Sequence, residues 1–135
     1  NAPDEPPRPR PLPKVTFAWH RVDSIPAYPG ADATLLNAAI DAGTEGLVIE
    51  GMGAGNVGDA LATAITSALK QGIPIVMASR VPRGNVNPLY GGDGGGLTLS
   101  RQGVIGAGCV HAGQARIILA AAIDAEVHPQ TLFDV

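Results

Sequence analysis

From Val57 onward the apolar residues Val57, Ala60, Leu61, Ala64, Ile65, Ala68 and Leu69 recur at i, i+3 and i+4. That spacing lays one apolar stripe along a helix, and Gly72 closes it. A shorter stretch repeats the pattern. Gly30-Ala31-Asp32 opens a helix with Asp32 as its cap, Leu35, Leu36, Ala39 and Ile40 share a face, and Gly43 ends it. A third helical pattern, from about Ala112 to Ala125, is apolar over a wide arc through Ile117, Ile118, Leu119, Ala121 and Ala122, which predicts deep burial. His128-Pro129-Gln130 then restarts a short terminal turn or helix, with Pro129 at its first position.

Short apolar runs alternate with these helices. Lys14 to Trp19, Gly46 to Glu50, Ile73 to Ala78 and Gly103 to Ala107 each have the length and content of a strand. The segment Ser79 to Leu99 surrounds a Gly91-Gly92-Asp93-Gly94-Gly95-Gly96 core that is not expected to hold regular structure. Strand and helix in alternation predict an α/β fold: a small, flavodoxin-like, doubly wound parallel sheet of about four strands, flanked by helices and joined by right-handed crossovers. Residues 14–135 form this domain. Residues 1–13 carry Pro3, Pro6, Pro7, Pro9, Pro11 and Pro13 among Asp4, Glu5, Arg8 and Arg10, and read as a proline-rich interdomain linker or exposed tail.

Composition narrows the function classes. Aromatics make up only 4% of the chain, while hydrophobic residues reach 45% and are mostly Ala, Val, Ile and Leu, which suits helices on a parallel sheet. A net charge of −3 points away from nucleic acid and from anionic lipid as partners. No apolar run approaches the roughly 20 residues that span a bilayer. The lone Cys109 excludes an internal disulfide. The chain opens on Asn1, without a signal peptide, and is expected to be a piece of something longer or a processed product.

In a sheet of this kind ligands bind beyond the carboxyl ends of the strands. The richest such place is Gly46-Leu47-Val48-Ile49-Glu50-Gly51-Met52-Gly53-Ala54-Gly55-Asn56-Val57, a buried strand running into a glycine loop and then a helix. The other loops assigned to strand ends carry His20, Arg21 and Asp23, then Ser79 and Arg80, then Cys109 and His111. Asn56 suits both a helix cap and a ligand contact. Glu50 can meet a ligand amine or pair with Arg80, and Arg80 can clamp a carboxylate or brace the glycine loop. Three histidines in separate loops make no metal set, and Cys109 beside Val110 reads as a packed thiol. The loop lacks the dinucleotide fingerprint and the Walker lysine, and the chain has no Gly-x-Ser-x-Gly elbow. No cofactor is expected. A stand-alone small-ligand-binding or interaction module of flavodoxin type is one reading that remains.

Several segments together resemble the C-terminal domain of the bacterial-type L-asparaginase/glutaminase family. Leu12-Pro13-Lys14-Val15 is similar to the entry from linker into that domain, and Asp41 to Val57 to its Gly-x-Gly-x-Gly-Asn stretch. Gly72-Ile73-Pro74-Ile75-Val76 with Ser79-Arg80-Val81-Pro82 resembles the next strand and its Ser-Arg motif. Gly103-Val104-Ile105 and Gln114-Ala115-Arg116-Ile117 resemble the last strand and helix. The family's Asn-Pro at the start of that helix is His111-Ala112 here, and Ala54 replaces a polar residue common in the loop.

The resemblance implies a parent enzyme that hydrolyses L-asparagine to L-aspartate and ammonia. Its threonine nucleophile and the Thr, Asp and Lys that activate it lie in an N-terminal domain with Thr-Gly-Gly-Thr and His-Gly-Thr-Asp motifs. Neither motif occurs here, so the chain carries no catalytic residue and is expected to be inactive alone. Its implied part is to complete the substrate site of a neighbouring subunit's N-terminal domain in a homo-oligomer, a dimer or tetramer. Asn56 and Asp93 would then bind substrate, with Glu50, Gly53, Gly55, Ser79 and Arg80 supporting them. The family includes cytoplasmic and exported members; the cytoplasm is the leading expectation, with a periplasmic or secreted setting as the other.

Overall fold

The computed structural model describes residues 11–12, 20–53, 55–80 and 94–133. Most of the proline-rich stretch, the expected strand Lys14 to Trp19, Ala54 and the segment carrying Asp93 lie outside the described residues. The elements follow in the order β1 (Val22–Pro26), α1 (Thr34–Asp41), β2 (Gly46–Gly51), α2 (Asp59–Lys70), β3 (Ile75–Ser79), α3 (Gly96–Gln102), β4 (Ile105–Gly106), α4 (Ala112–Ala125) and α5 (Gln130–Phe133).

The strands form one four-stranded sheet in the order β1-β2-β3-β4, and each neighbouring pair is parallel. Both faces are covered, which is why the strands read as continuous apolar runs rather than alternating ones. Leu47, Ile49, Ile75 and Met77 pack with Leu36 and Ala39 of α1, Leu61 and Ile65 of α2, and Leu99 of α3. Val48, Val76 and Ala78 point the other way, into Ala115, Ile118 and Leu119 of α4 and Leu132 and Phe133 of α5. The result is the doubly wound α/β arrangement the alternation predicts.

Two differences from the sequence reading matter. Val22–Pro26 is a strand although only Val22 and Ile25 within it, and Ala27 just past its end, are buried, with Asp23 half-buried and Ser24 exposed. His20 and Arg21 therefore precede this strand, and Asp23 lies within it. The glycine-rich segment also yields a helix, because α3 starts at Gly96 and buries Leu99 against the core.

Four of the helix ends share one device. Gly43, Gly72 and Gly103 adopt φ of +86°, +83° and +110°, and at each the glycine amide and the one after it bond back to the last turn (Gly43 N–H to Ile40 O at 2.9 Å, Thr44 N–H to Ala39 O at 3.0 Å). That satisfies carbonyls a helix end leaves open. At the end of α4 the same pair of bonds forms, Glu126 N–H to Ile123 O and Val127 N–H to Ala122 O, but the residue at φ +56° is Glu126.

Candidate functional site

Strand register brings the chemistry together. Pro26 lies level with Glu50, Glu50 with Ala78, and Gly51 with Ser79, so β1, β2 and β3 end side by side. The glycine loop leaves β2 at this edge and folds back on itself. Met52 and Asn56 form an antiparallel bridge, with Met52 N–H on Asn56 O at 2.7 Å and Asn56 N–H on Met52 O at 2.9 Å. The turn holds Gly53 at φ +53° and Gly55 at φ +107°, conformations that side chains other than glycine's rarely adopt.

Gly51 has a different reason to be glycine. A Cβ there would lie 2.7 Å from the Met77 sulfur and 2.8 Å from Gly55 Cα. Backbone of the loop thus packs straight onto backbone of the strand, over a Met77 side chain that is 2% exposed.

Ser79 and Arg80 stitch the neighbouring strand ends to this loop. The buried Ser79 hydroxyl donates to Gly53 O at 2.6 Å, and Arg80 N–H donates to Gly51 O at 2.9 Å. The Arg80 guanidinium reaches past β2 to Ala27 O at 2.7 Å, while Ala27 N–H donates to Glu50 O at 2.8 Å. Arg80 thereby braces the loop after β1. The ion pairs among the described residues are His20–Glu45, His20–Asp124 and Arg21–Asp23, so the alternative of a Glu50–Arg80 pair is not realised. Glu50 is half-buried at the loop's base.

Asn56 does not cap the following helix. The cap position of α2 is Gly58, in extended conformation, with no side-chain cap bond among the described residues. Asn56 stands two residues earlier, half-buried, with its backbone fixed by the bridge to Met52. Val57 N–H then donates to Gly94 O at 3.0 Å, and a Cβ on Gly94 would run into the Val57 carbonyl, so the glycine-rich segment returns to lie against the loop. Asp93, its acidic residue, lies outside the described residues.

Other candidates fall elsewhere. The α1 cap position is Ala33, not Asp32, although the Asp32 carboxylate accepts the Thr34 N–H at 2.9 Å, and bonding to Thr34 holds Asp32 below the usual carboxylate range. Cys109 is half-buried after β4, and His111 occupies the α4 cap position without a capping bond. Among the described residues no group of three His, Cys, Asp or Glu side chains is placed to hold a metal ion. Sequence reasoning missed the surroundings of His20, whose ring sits between Glu45 and Asp124 at the opposite, amino end of the sheet. Neither partner is close to it in sequence.

What the carboxyl-end arrangement can do is limited and definite. It presents a hydrogen-bonded turn of main chain with Asn56 beside it, which suits recognition of a small polar molecule. Among the described residues it contains no nucleophile with an adjacent base.

Comparison with known proteins matches residues 21–134 to the family described as the glutaminase/asparaginase C-terminal domain. A probable L-asparaginase of Deinococcus radiodurans is 35% identical over 113 residues, covering 84% of this chain and 34% of the relative. An L-asparaginase of Bacillus licheniformis is 35% identical over 96 residues, covering 71% of this chain and 28% of the relative. A probable periplasmic L-asparaginase of Haemophilus influenzae is 30% identical over 122 residues, covering 86% of this chain and 34% of the relative. The chain thus spans about a third of the length of the curated relatives it matches.

Proposed function

The chain belongs to the glutaminase/asparaginase C-terminal domain family, and on that premise we propose that it serves as the C-terminal domain of an L-asparaginase. The reaction adds water across the side-chain amide of L-asparagine: the C–N bond breaks, the carbonyl carbon gains oxygen, and aspartate and ammonia leave. The nucleophile belongs to a separate N-terminal domain. This chain contributes binding, with the Asn56 amide on the α-amino side of the substrate and Asp93 as the carboxylate that meets the ammonium. Glu50, Gly53, Gly55, Ser79 and Arg80 hold that surface in shape. The parent assembles as a homo-oligomer, in which the domain completes a neighbouring subunit's site.

The observation that carries this reading is the cross-braced glycine loop. Ser79 and Arg80 fix Gly53 and Gly51, the Met52–Asn56 bridge fixes the turn, and Asn56 is delivered at the strand ends where such sheets bind ligands. The matched relatives named L-asparaginase supply the substrate class.

Two measurements test it. The chain alone should release no ammonia from asparagine. In the complete protein, Asn56→Ala should raise KM on the order of ten- to a hundredfold, the worth of one hydrogen bond to a charged group, with a smaller change in kcat. Unchanged KM and kcat would remove Asn56 from the site.

A further inference from the structure

At the end of the sheet remote from the glycine loop, one side chain joins three elements. His20 lies just ahead of β1. Its Nδ1 is 3.1 Å from both Glu45 carboxylate oxygens, ahead of β2, and its Nε2 is 3.0 Å from Asp124 Oδ1 in the last turn of α4. A neutral imidazole carries a hydrogen on one nitrogen and a lone pair on the other. With a carboxylate facing each nitrogen, the neutral ring would turn a lone pair toward negative oxygen whichever tautomer it chose. Only the doubly protonated ring donates to both.

The geometry points to a pH-operated latch: protonated His20 straps the starts of β1 and β2 to the C-terminal end of α4, and loss of one ring proton opens the strap.

Among the described residues, the other charges nearby are engaged in bonds of their own. Arg21 bonds Asp23 through Nε at 3.0 Å and Nη2 at 3.1 Å, and Arg116 of α4 gives its Nε to Val22 O at 2.7 Å. The Glu45 carboxylate also accepts the Arg21 backbone N–H at 3.0 Å, which holds it in place for the ring. Glu45 first and Asp124 second raise the His20 titration above its ordinary position, and the ring in turn lowers Glu45. A group whose folded-state titration is raised contributes stability in full below its unfolded midpoint, and loses it as pH climbs through the folded one. The latch is therefore closed in mildly acidic solution and opens toward alkaline pH. It is independent of the substrate reading, since it involves none of the residues at the glycine loop.

The test uses the chain as it stands. Imidazole resonances are followed by NMR from about pH 5 to about pH 9, across the ordinary histidine midpoint of about 6.5. The His20 signal, identified by its loss in His20→Gln, should titrate above that midpoint, and Asp124→Asn should draw it back. The gap in thermal midpoint between wild type and His20→Gln should be widest below about pH 6.5 and narrow as pH rises. A His20 midpoint at or below the ordinary value, or a gap that does not change with pH, would overturn the proposal. If His20→Gln does not fold, assignment by elimination with His111→Gln and His128→Gln, both exposed, leaves the titration decisive.

Discussion

Replacing Gly51 by alanine puts a methyl group where the structure has room for none. Its Cβ would stand 2.8 Å from Gly55 Cα, 2.9 Å from Gly55 C and 2.7 Å from the Met77 sulfur. Carbon atoms in comfortable contact sit about 3.5–4.0 Å apart, so the loop has to lift by several tenths of an ångström or Met77 has to move. Met77 is 2% exposed and packs in the core beneath α1 and α2, which leaves the loop to give way. Lifting it strains the Met52–Asn56 bridge at 2.7 and 2.9 Å and the Ser79–Gly53 bond at 2.6 Å.

Overpacking of this kind costs about 1–3 kcal/mol, and each weakened hydrogen bond up to about 1 kcal/mol more. Alanine returns about 0.4–1 kcal/mol by restricting the unfolded chain. The balance is a loss of about 1–3 kcal/mol, or a fall in Tm of about 3–12 °C for a domain of this size. Gly113→Ala is the internal control. It sits in the first turn of α4 with nothing within 4 Å of the added Cβ, and should gain about 0.4–1 kcal/mol. Thermal melts followed by circular dichroism read both. A Gly51→Ala midpoint equal to or above wild type, beside the expected rise in Gly113→Ala, would refute the claim that backbone-on-backbone contact shapes this loop.

Glu126→Gly should raise Tm by about 2–4 °C, because glycine relieves the roughly 1–2 kcal/mol that an L side chain costs at φ +56°, gives back about 0.4–1 kcal/mol through a freer unfolded chain, and keeps both amide bonds at the end of α4; a lowered Tm would contradict this. On the acid side, burial alone would raise the Asp23 carboxyl, but the hydrogen bonds from Arg21 and Thr44 and the charges of Arg21 and Arg116 outweigh it and hold it below the ordinary value. Its contribution is thus present above the ordinary midpoint of about 3.9 and disappears as pH falls through the lowered one. The acid limb of the Tm-against-pH curve should be shallower in Asp23→Asn than in wild type, and parallel limbs would rule this out.

The helices α2 and α4 and the strands β2 and β3 were legible because each carries its period in its own residues: one stripe, one wide arc, two continuous apolar runs. β1 was not, since Val22-Asp23-Ser24-Ile25-Pro26 offers two apolar residues around a polar Asp-Ser pair and ends in proline, a pattern also common in turns. α3 begins on Gly96, inside a run of glycines whose composition argues against any helix; it forms because Leu99 finds the core. The carboxyl-end residues could be singled out from a general property of parallel sheets. Their partners could not. That Arg80 would choose Ala27 O over Glu50, or that His20 would gather Glu45 and Asp124, depends on chain segments brought together only by the finished fold.

The two ends of the sheet are consequently held by different chemistry. At the carboxyl end the bonds run from backbone amides, a serine hydroxyl and a guanidinium to carbonyl oxygens, and none of these groups changes charge across ordinary pH. At the amino end the imidazole-to-carboxylate contacts of His20 change charge near neutrality, and the guanidinium-to-carboxylate pair of Arg21 and Asp23 does so only in acid. Gly51→Ala should therefore lower stability by a similar amount at every pH where the chain folds, while the effect of a His20 substitution fades as pH rises through its raised midpoint and that of an Asp23 substitution fades as pH falls through its lowered one. The bonds that brace the glycine loop do not themselves titrate near neutrality, so a pH-dependent change in ligand binding there should originate in the ligand or in groups other than these bonds.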